Sequence, residues 1–130
     1  MPTLGKASSE RLSTCDQRLQ DVVNEVVKYF DCTVTCGHRN EVDQEEAFRT
    51  GKSTVHFPDS KHNSLPSKAM DLVPYPVDWN DLKRFYYFAG FVMAIAASKG
   101  ITLRFGGDWN GDTQVKDNNF NDLPHFQIED

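Results

Sequence analysis

The sequence lacks an excess of basic residues, an even number of cysteines and a long apolar run, and each absence excludes a class of protein. Its 130 residues carry 14 Lys and Arg against 19 Asp and Glu, for a net charge of −5. Neutralising phosphates requires clustered Lys and Arg, so we expect no nucleic-acid partner. The three cysteines do not form complete pairs, which indicates a reducing compartment during synthesis.

The most apolar stretch, 85–98, is shorter than the roughly 20 residues that span a bilayer, so we predict no stable membrane association. The first residues, MPTLGKASSERLSTCDQRL, have no apolar core of a secretory signal. We therefore expect a protein that stays in the cytoplasm until another agent releases it. With 38% hydrophobic residues, the chain suffices for one domain over 1–130, with 1–9 flexible, and we expect a monomer.

Apolar periodicity predicts two main helices, one from Ser8 or Ser9 to Tyr29 and one from a cap at Asn80 to Lys99. A shorter helix is predicted over 42–50. Strand patterns occur at 33–36, 69–75, 101–105 and 125–129. This irregular order predicts an α+β fold, with a small mostly antiparallel sheet of three to four strands packed against the two main helices.

Two histidines and an aspartate fall at positions that suit a metal site. His62 lies in the polar loop 51–68, Asp71 is near the start of a buried strand, and His125 begins the last strand. A catalytic zinc takes about three protein ligands and keeps one position open, and these residues satisfy that count at strand ends. No HExxH motif is present. Solvated histidines and a strand-end aspartate explain the spacing at least as well, so it leaves both interpretations open.

Several short motifs in order resemble a known family. SKH at 60–62, AMD at 69–71 and DLPHFQIE at 122–129 are similar to the SxH, AxD and DxxH signatures of the zinc peptidases. This family includes D-alanyl-D-alanine carboxypeptidases and dipeptidases and the phage L-alanyl-D-glutamate endolysins. GHR at 37–39, the helix end at 44–51, VDWND at 77–81 and LRFGGDWN at 103–110 extend the likeness, and VDWND and LRFGGDWN are most similar to the phage branch.

The resemblance implies a role for each matching residue. His62, Asp71 and His125 match the Zn²⁺ ligands, and Asp122 matches the catalytic carboxylate. Arg39 matches the arginine that lies over the active site in this family. A metal beside Asp71 would explain a charge at a buried strand, because it offsets the cost of desolvation. The loop between His62 and Asp71 is longer than in many members, which changes its contacts and not the ligands.

Other polar residues near these motifs have weaker assignments. Ser60 is expected to support the loop or a ligand, and Asp108 and Trp109 to border the substrate groove, although a turn with a core-packed Trp explains the latter pair equally well. His56 has no counterpart in the signatures and is not expected to be a ligand, and we interpret His38, beside Arg39, as a surface residue at a strand end. Cys32 and Cys36 alternate with threonines in a strand pattern and are expected to be buried strand residues, not metal ligands.

The resemblance implies a zinc peptidoglycan endopeptidase that cuts the L-alanyl-D-glutamate bond of the stem peptide, an endolysin held in the host bacterial cytoplasm until it is released to the wall. The first alternative is a D-alanyl-D-alanine carboxypeptidase or dipeptidase, which would need a clamp for a free carboxylate. The second is a non-catalytic wall-binding module with a structural zinc. Such a module has no need of Asp122, and a structural site usually closes its fourth position.

Overall fold

The structure is a computed structural model that describes residues 2–116 and 120–130. In chain order its elements are helices α1 (Lys6–Leu12) and α2 (Gln17–Val26), strand β1 (Cys32–Cys36), helix α3 (Glu41–Arg49), a 3₁₀ turn (Lys61–Asn63), strand β2 (Ala69–Pro74), helix α4 (Leu82–Ser98), and strands β3 (Leu103–Phe105) and β4 (His125–Ile128).

The four strands form one antiparallel sheet in the order β1-β2-β4-β3. The last strand in the chain therefore lies between β2 and β3. This order brings the start of β4 beside β2, although more than 50 residues separate them in the sequence. The predicted α+β architecture with a small antiparallel sheet is confirmed.

One hydrophobic core joins the sheet to the helices. Fully or almost fully buried side chains come from α2, from α4 and from one face of the sheet: Leu19, Val22, Val23, Val26, Phe88, Val92, Val34, Met70, Leu72, Phe126 and Ile128. Burying a side chain of this size stabilises the fold by about 1.5–3 kcal/mol. This energy fixes which residues of each strand face the core. The opposite face carries the polar side chains of Asp71, His125 and Gln127.

The single helix predicted from Ser8 or Ser9 to Tyr29 is wrong, because the structure has α1 and α2 with a break between them. Within the break, Ser67 N donates to Thr14 O and Asp16 N donates to Ser67 O, each at 2.8 Å. Asp16 then caps α2 by accepting a hydrogen bond from Arg18 N. The bonds to Ser67 tie the break to the segment that leads into β2.

Helix α1 begins inside the N-terminal segment 1–9, for which flexibility was expected. It starts at Lys6, and the flexibility itself stays a prediction. Ser8 is buried, and its hydroxyl accepts a hydrogen bond from Val34 N of β1 at 3.0 Å. Helix α1 therefore packs beside the outer strand of the sheet.

The second long helix is confirmed with small shifts at its ends. Asp81, not Asn80, caps α4 by accepting a hydrogen bond from Arg84 N at 3.2 Å. Gly100 follows the helix with φ +71°, a conformation that glycine adopts without strain. Within the described residues, no helix has the length and apolar character needed to cross a membrane.

Candidate metal centre and active site

Adjacent strands place ligand atoms at one level on the polar face of the sheet. Asp71 of β2 pairs with His125 of β4 on one side and with Cys36 of β1 on the other. Side chains alternate along a strand, so Asp71 and His125 point away from the core residues Met70 and Phe126 beside them. Asp71 Oδ1 lies 3.6 Å from His125 Nδ1.

The third predicted ligand, His62, reaches this point from the 3₁₀ turn. The Ser60 hydroxyl accepts a hydrogen bond from His62 N, and Ser60 N donates to Asn63 Oδ1, which closes a capping box. The His62 side chain is 1% exposed, and its Nε2 lies 3.4 Å from Asp71 Oδ1. Ser60 thus orients the turn that carries His62.

Backbone and amide groups fix which nitrogen of each histidine faces the centre. His62 Nδ1 donates to Gly37 O at 2.8 Å, which leaves its Nε2 lone pair free. His125 Nε2 donates to Gln127 Oε1 at 2.7 Å, and Gln127 Nε2 donates to Glu129 Oε1, which sets the orientation of the amide. His125 therefore presents the lone pair of Nδ1. Such second partners are typical of metal-binding histidines.

The polar atoms at the centre fit a bound cation. Among the described residues, the buried atoms His62 Nε2 and Asp71 Oδ1 make no hydrogen bond. An unpaired buried polar atom costs about 1–3 kcal/mol, and a metal ion between these atoms would remove that cost. Two imidazoles and one carboxylate also form a donor set of catalytic zinc sites. Asp71, Asp122 and His125 have ligand atoms within 4.8 Å of one another.

Cys36 is part of this centre, which the sequence did not predict. Its ligand atom lies within 4.8 Å of those of His62 and Asp71, and its Sγ is 3.8 Å from His62 Nδ1. A register shift between Val34 and Cys36 separates it from the regular pattern of β1. Cys36 is half-buried, so the expected buried strand residue is correct for Cys32 and wrong for Cys36.

Arg39 lies over the centre and is held by a buried amide. Its Nη2 is 3.6 Å from Asp71 Oδ2, and its Nη1 donates to Gln44 Oε1 at 3.1 Å. Arg39 N also donates to His62 O at 2.8 Å. Gln44 is fully buried on α3. The guanidinium is therefore fixed by contacts on two sides before any substrate binds.

Asp122 approaches the centre through a tight contact with Gly106. Asp122 N donates to Gly106 O, and Gly106 N donates to His125 O, each at 2.9 Å. A Cβ atom on Gly106 would lie 2.0 Å from Asp122 O, so only glycine fits. The Asp122 carboxylate then lies 3.7 Å from His125 Nδ1.

The two aspartates at the centre have opposite pKa shifts. Burial raises the pKa of Asp71, but the attraction of the neighbouring His125 and His62 side chains outweighs it and holds that pKa well below the usual range. Burial and the nearby Asp71 carboxylate raise the pKa of Asp122. Asp71 is thus a permanent anion suited to hold a cation, and Asp122 is the carboxylate that more readily carries a proton.

Two cavities meet at the centre and form one groove. The smaller, of about 260 Å³, is lined by polar residues that include Ser60, Lys61 and His62. The larger, of about 700 Å³, has an apolar wall that includes Trp79, Leu82 and Phe85. The cavities share four lining residues: Arg39, Lys52, Phe120 and Asp122.

The remaining predicted residues differ in their positions. Trp109 lines the smaller cavity, and its ring centroid is 5.2 Å from that of His125. Asp108 instead accepts a hydrogen bond from Thr113 N and, in the described part of the chain, lines neither cavity. His38 is half-buried, and its Nδ1 donates a hydrogen bond to Ser64 O.

His56 lies outside the centre, as expected. It is exposed, and its Nδ1 lies 2.7 Å from Glu45 Oε2. The same Glu45 side chain accepts a hydrogen bond from Phe57 N at 2.9 Å. His56 therefore contacts α3. Among the described residues, it is not part of the two clusters of side chains that could hold a metal ion.

Comparisons with known proteins decide the family. The family model of phage L-alanyl-D-glutamate peptidases matches residues 2–128. The chain belongs to this family. The resemblance drawn from the motifs is confirmed, and with it the prediction of a peptidase.

Individual members support the assignment. The chain is 31% identical over 118 residues to the L-alanyl-D-glutamate peptidase of Escherichia phage T5, which covers 87% of this chain and 85% of that protein. The crystal structure of the Serratia marcescens L-Ala D-Glu endopeptidase ChiX superposes with a TM-score of 0.73 at 27% identity, covering 98% of this chain and 90% of that one. The fold of the family is therefore shared along almost the whole chain.

Two residues at the candidate site, Gln44 and Cys36, were not predicted from the sequence to belong to it. Gln44 was seen only as part of a helix, and Cys36 only as part of a strand. The signals for Gln44 were its place in the helix end 44–51, which resembles the family, and an uncharged amide among the charged residues of EVDQEEAFR. No local signal marked Cys36, because its position depends on the pairing of β1 with β2.

Proposed function

We propose that the chain is a zinc-dependent peptidoglycan endopeptidase of the endolysin type, which hydrolyses the bond between L-alanine and D-glutamate in the stem peptide. His62, Asp71 and His125 would hold the Zn²⁺. The observation that carries the metal assignment is the pair of buried, unpaired ligand atoms on His62 and Asp71. The bond assignment is supported by the family and by the names of both relatives.

The chemistry divides between the metal and this chain's own residues. When bound, Zn²⁺ makes a water molecule more acidic and polarises the scissile carbonyl. Asp122 accepts the proton of the attacking water and delivers it to the leaving amine of D-glutamate. Its raised pKa suits this exchange, because a carboxylate closer to neutrality both accepts and returns a proton.

Arg39 stabilises negative charge that develops on the carbonyl oxygen. Its guanidinium lines both cavities and is already oriented by Gln44, so it needs little reorganisation during the reaction. Ser60 acts indirectly, since it caps the turn that aims His62. Trp109 forms part of the groove wall beside His125. Ser60 therefore has a positioning role and Trp109 a binding role.

Two other functions would use the same fold. A D-alanyl-D-alanine carboxypeptidase would release free D-alanine, and a wall-binding module would carry zinc without cleavage. The raised pKa and groove position of Asp122 favour catalysis over the module. A monomeric state and retention in the host cytoplasm before release to the wall stay predictions.

Mass spectrometry of purified stem peptides and of peptidoglycan digested by zinc-loaded protein tests the proposal. We expect a new D-glutamate amino terminus. Asp122→Asn should retain zinc, measured by elemental analysis, and lose about 10²–10⁴-fold in rate. Asp21→Asn, at an exposed position on α2, is the matched control.

Each alternative outcome has a distinct meaning. Release of D-alanine in place of a D-glutamate terminus would move the protein to the carboxypeptidase group. No cleavage by a zinc-replete sample would favour the binding module. Full activity in Asp122→Asn would refute the role of Asp122 while leaving the bond assignment intact.

A further inference from the structure

A lysine lies where the two cavities of the groove meet. Lys52 lines both cavities, as do Arg39 and Asp122, the two residues proposed to act on the reacting groups. Any peptide that lies across the metal centre with its scissile bond near Asp122 must therefore pass close to Lys52. This position is separate from the metal ligands.

The other cations of the groove already have protein partners. The Arg39 guanidinium contacts Gln44 and Asp71. Lys61 Nζ donates to Ile128 O at 3.0 Å. The Lys52 ammonium makes no hydrogen bond or ion pair with the residues that the structure describes in 2–116 and 120–130. It is the groove cation available to a ligand there.

The nearby acid does not compete for Lys52. Glu46 lies on α3, six residues before Lys52, and Lys52 contributes to lowering its pKa. The Glu46 carboxylate, however, is paired with Arg49 through both of its oxygens. Its charge is thereby largely neutralised by Arg49.

The backbone around Lys52 is anchored to the same network that holds Arg39. Gly51, with φ +83°, ends α3, and the N–H groups of Lys52 and Ser53 both donate to Ala47 O. The Ser53 hydroxyl accepts a hydrogen bond from the buried Gln44 amide at 2.9 Å. The backbone of Lys52 is therefore fixed relative to Arg39, and Lys52, which is exposed, lines both cavities.

Local charge also differs from the charge of the whole chain. The two cavities together are lined by Arg39, Lys52 and Lys61 against Asp59, Asp71 and Asp122, so the charges of their lining balance, whereas the chain carries a net charge of −5. A divalent cation at the centre would make the groove positive. Such a groove favours an anionic ligand.

We propose that Lys52 binds the α-carboxylate of D-glutamate. This inference rests on the proposed function. In the stem peptide D-glutamate continues the chain through its γ-carboxyl group, so its α-carboxylate remains free and lies one carbon from the scissile nitrogen. A cation that lines both cavities, as Asp122 does, matches that position. Lys52 thereby selects stem peptides whose second residue is unamidated.

The test compares two synthetic stem peptides that differ only at this group, one with D-glutamate and one with D-isoglutamine, in which the α-carboxylate is an amide. Zinc-loaded wild type should prefer the D-glutamate peptide by about 2- to 5-fold in kcat/KM, as expected for a solvent-exposed ion pair. In Lys52→Gln the two peptides should have nearly equal kcat/KM, chiefly because KM for the D-glutamate peptide rises. Lys52→Arg should restore the preference, and added salt should reduce it in wild type.

The matched control is Lys83→Gln, which removes the same charge from an exposed position on α4. It should leave the preference as in wild type. An unchanged preference in Lys52→Gln, or equal cleavage of both peptides by wild type, would overturn the role of Lys52. Cleavage of neither peptide by wild type would instead refute the proposed function, so the two failures are distinguishable.

Discussion

Gln44 links the site to α3, and replacing it with methionine tests whether this link stabilises the protein. The fully buried side chain makes four hydrogen bonds. Its Oε1 accepts from Arg39 Nη1 and Asn63 Nδ2, and its Nε2 donates to Ser53 Oγ and Val55 O. Methionine has a similar shape and leaves little cavity, so the change removes mainly the hydrogen bonds.

The expected magnitude follows from these bonds. A net contribution of about 1 kcal/mol each gives about 4 kcal/mol in total. Asn63 keeps its bond to Arg39 O, and Ser53 Oγ stays 3.4 Å from Val55 O, so part of the loss is recovered. We expect a decrease of about 3 kcal/mol in the free energy of unfolding, a large part of the 5–15 kcal/mol typical of a domain.

Urea unfolding of the metal-loaded protein measures this decrease. Gln17→Met is the control, because Gln17 is exposed and makes one surface bond to Asp21, so its effect should stay within about 0.5 kcal/mol. Activity should fall as well, since Arg39 loses its orientation. The losses in kcat for Gln44→Met and Arg39→Ala should be less than additive in the double mutant. A Gln44→Met protein as stable as the control would refute the reasoning.

Three further changes test the metal, the placement of the catalytic carboxylate and the acid response. Removing the metal with a chelator should lower Tm, and free Zn²⁺ at about 100 times Kd should add about 2.7 kcal/mol of stability; an unchanged Tm would contradict the metal assignment. Gly106→Ala should displace Asp122 and lower kcat about 10²-fold with zinc retained, measured beside elemental analysis; unchanged kcat would contradict this contact. Hydrogen bonds from Arg18 and Lys68 lower the pKa of Asp130 to about 2, so this stabilisation is present above the ordinary carboxyl pKa of 3.8 and is lost as pH falls from there toward 2. Arg18→Gln should weaken the fall of Tm over this window, and identical acid titrations would disprove the pairing.

The sequence allowed the candidate ligands to be chosen because their order and spacing match a family. Composition alone could not separate His62 from His56, since both lie in the same polar loop. The structure separates them physically: His62 is buried on a capped turn, whereas His56 is exposed beside Glu45. Which imidazole nitrogen of His62 and His125 faces the centre also required the structure. The other nitrogen of His62 is held by Gly37 O, and that of His125 by Gln127 Oε1.

Local patterns by themselves predicted the fold class, the long helix α4 and the strands, because these depend on periodicity, whereas the candidate ligands were predicted from the resemblance of short motifs to a family. Three features were decided only by tertiary contacts. The break between α1 and α2 follows from backbone bonds to Ser67, although the apolar period continues through it. The closeness of Cys36 to the centre follows from the pairing of β1 with β2. The role of Gln44 depends on partners from three other segments. Hydrogen bonds between distant residues leave no local periodicity, so no window of sequence can reveal them.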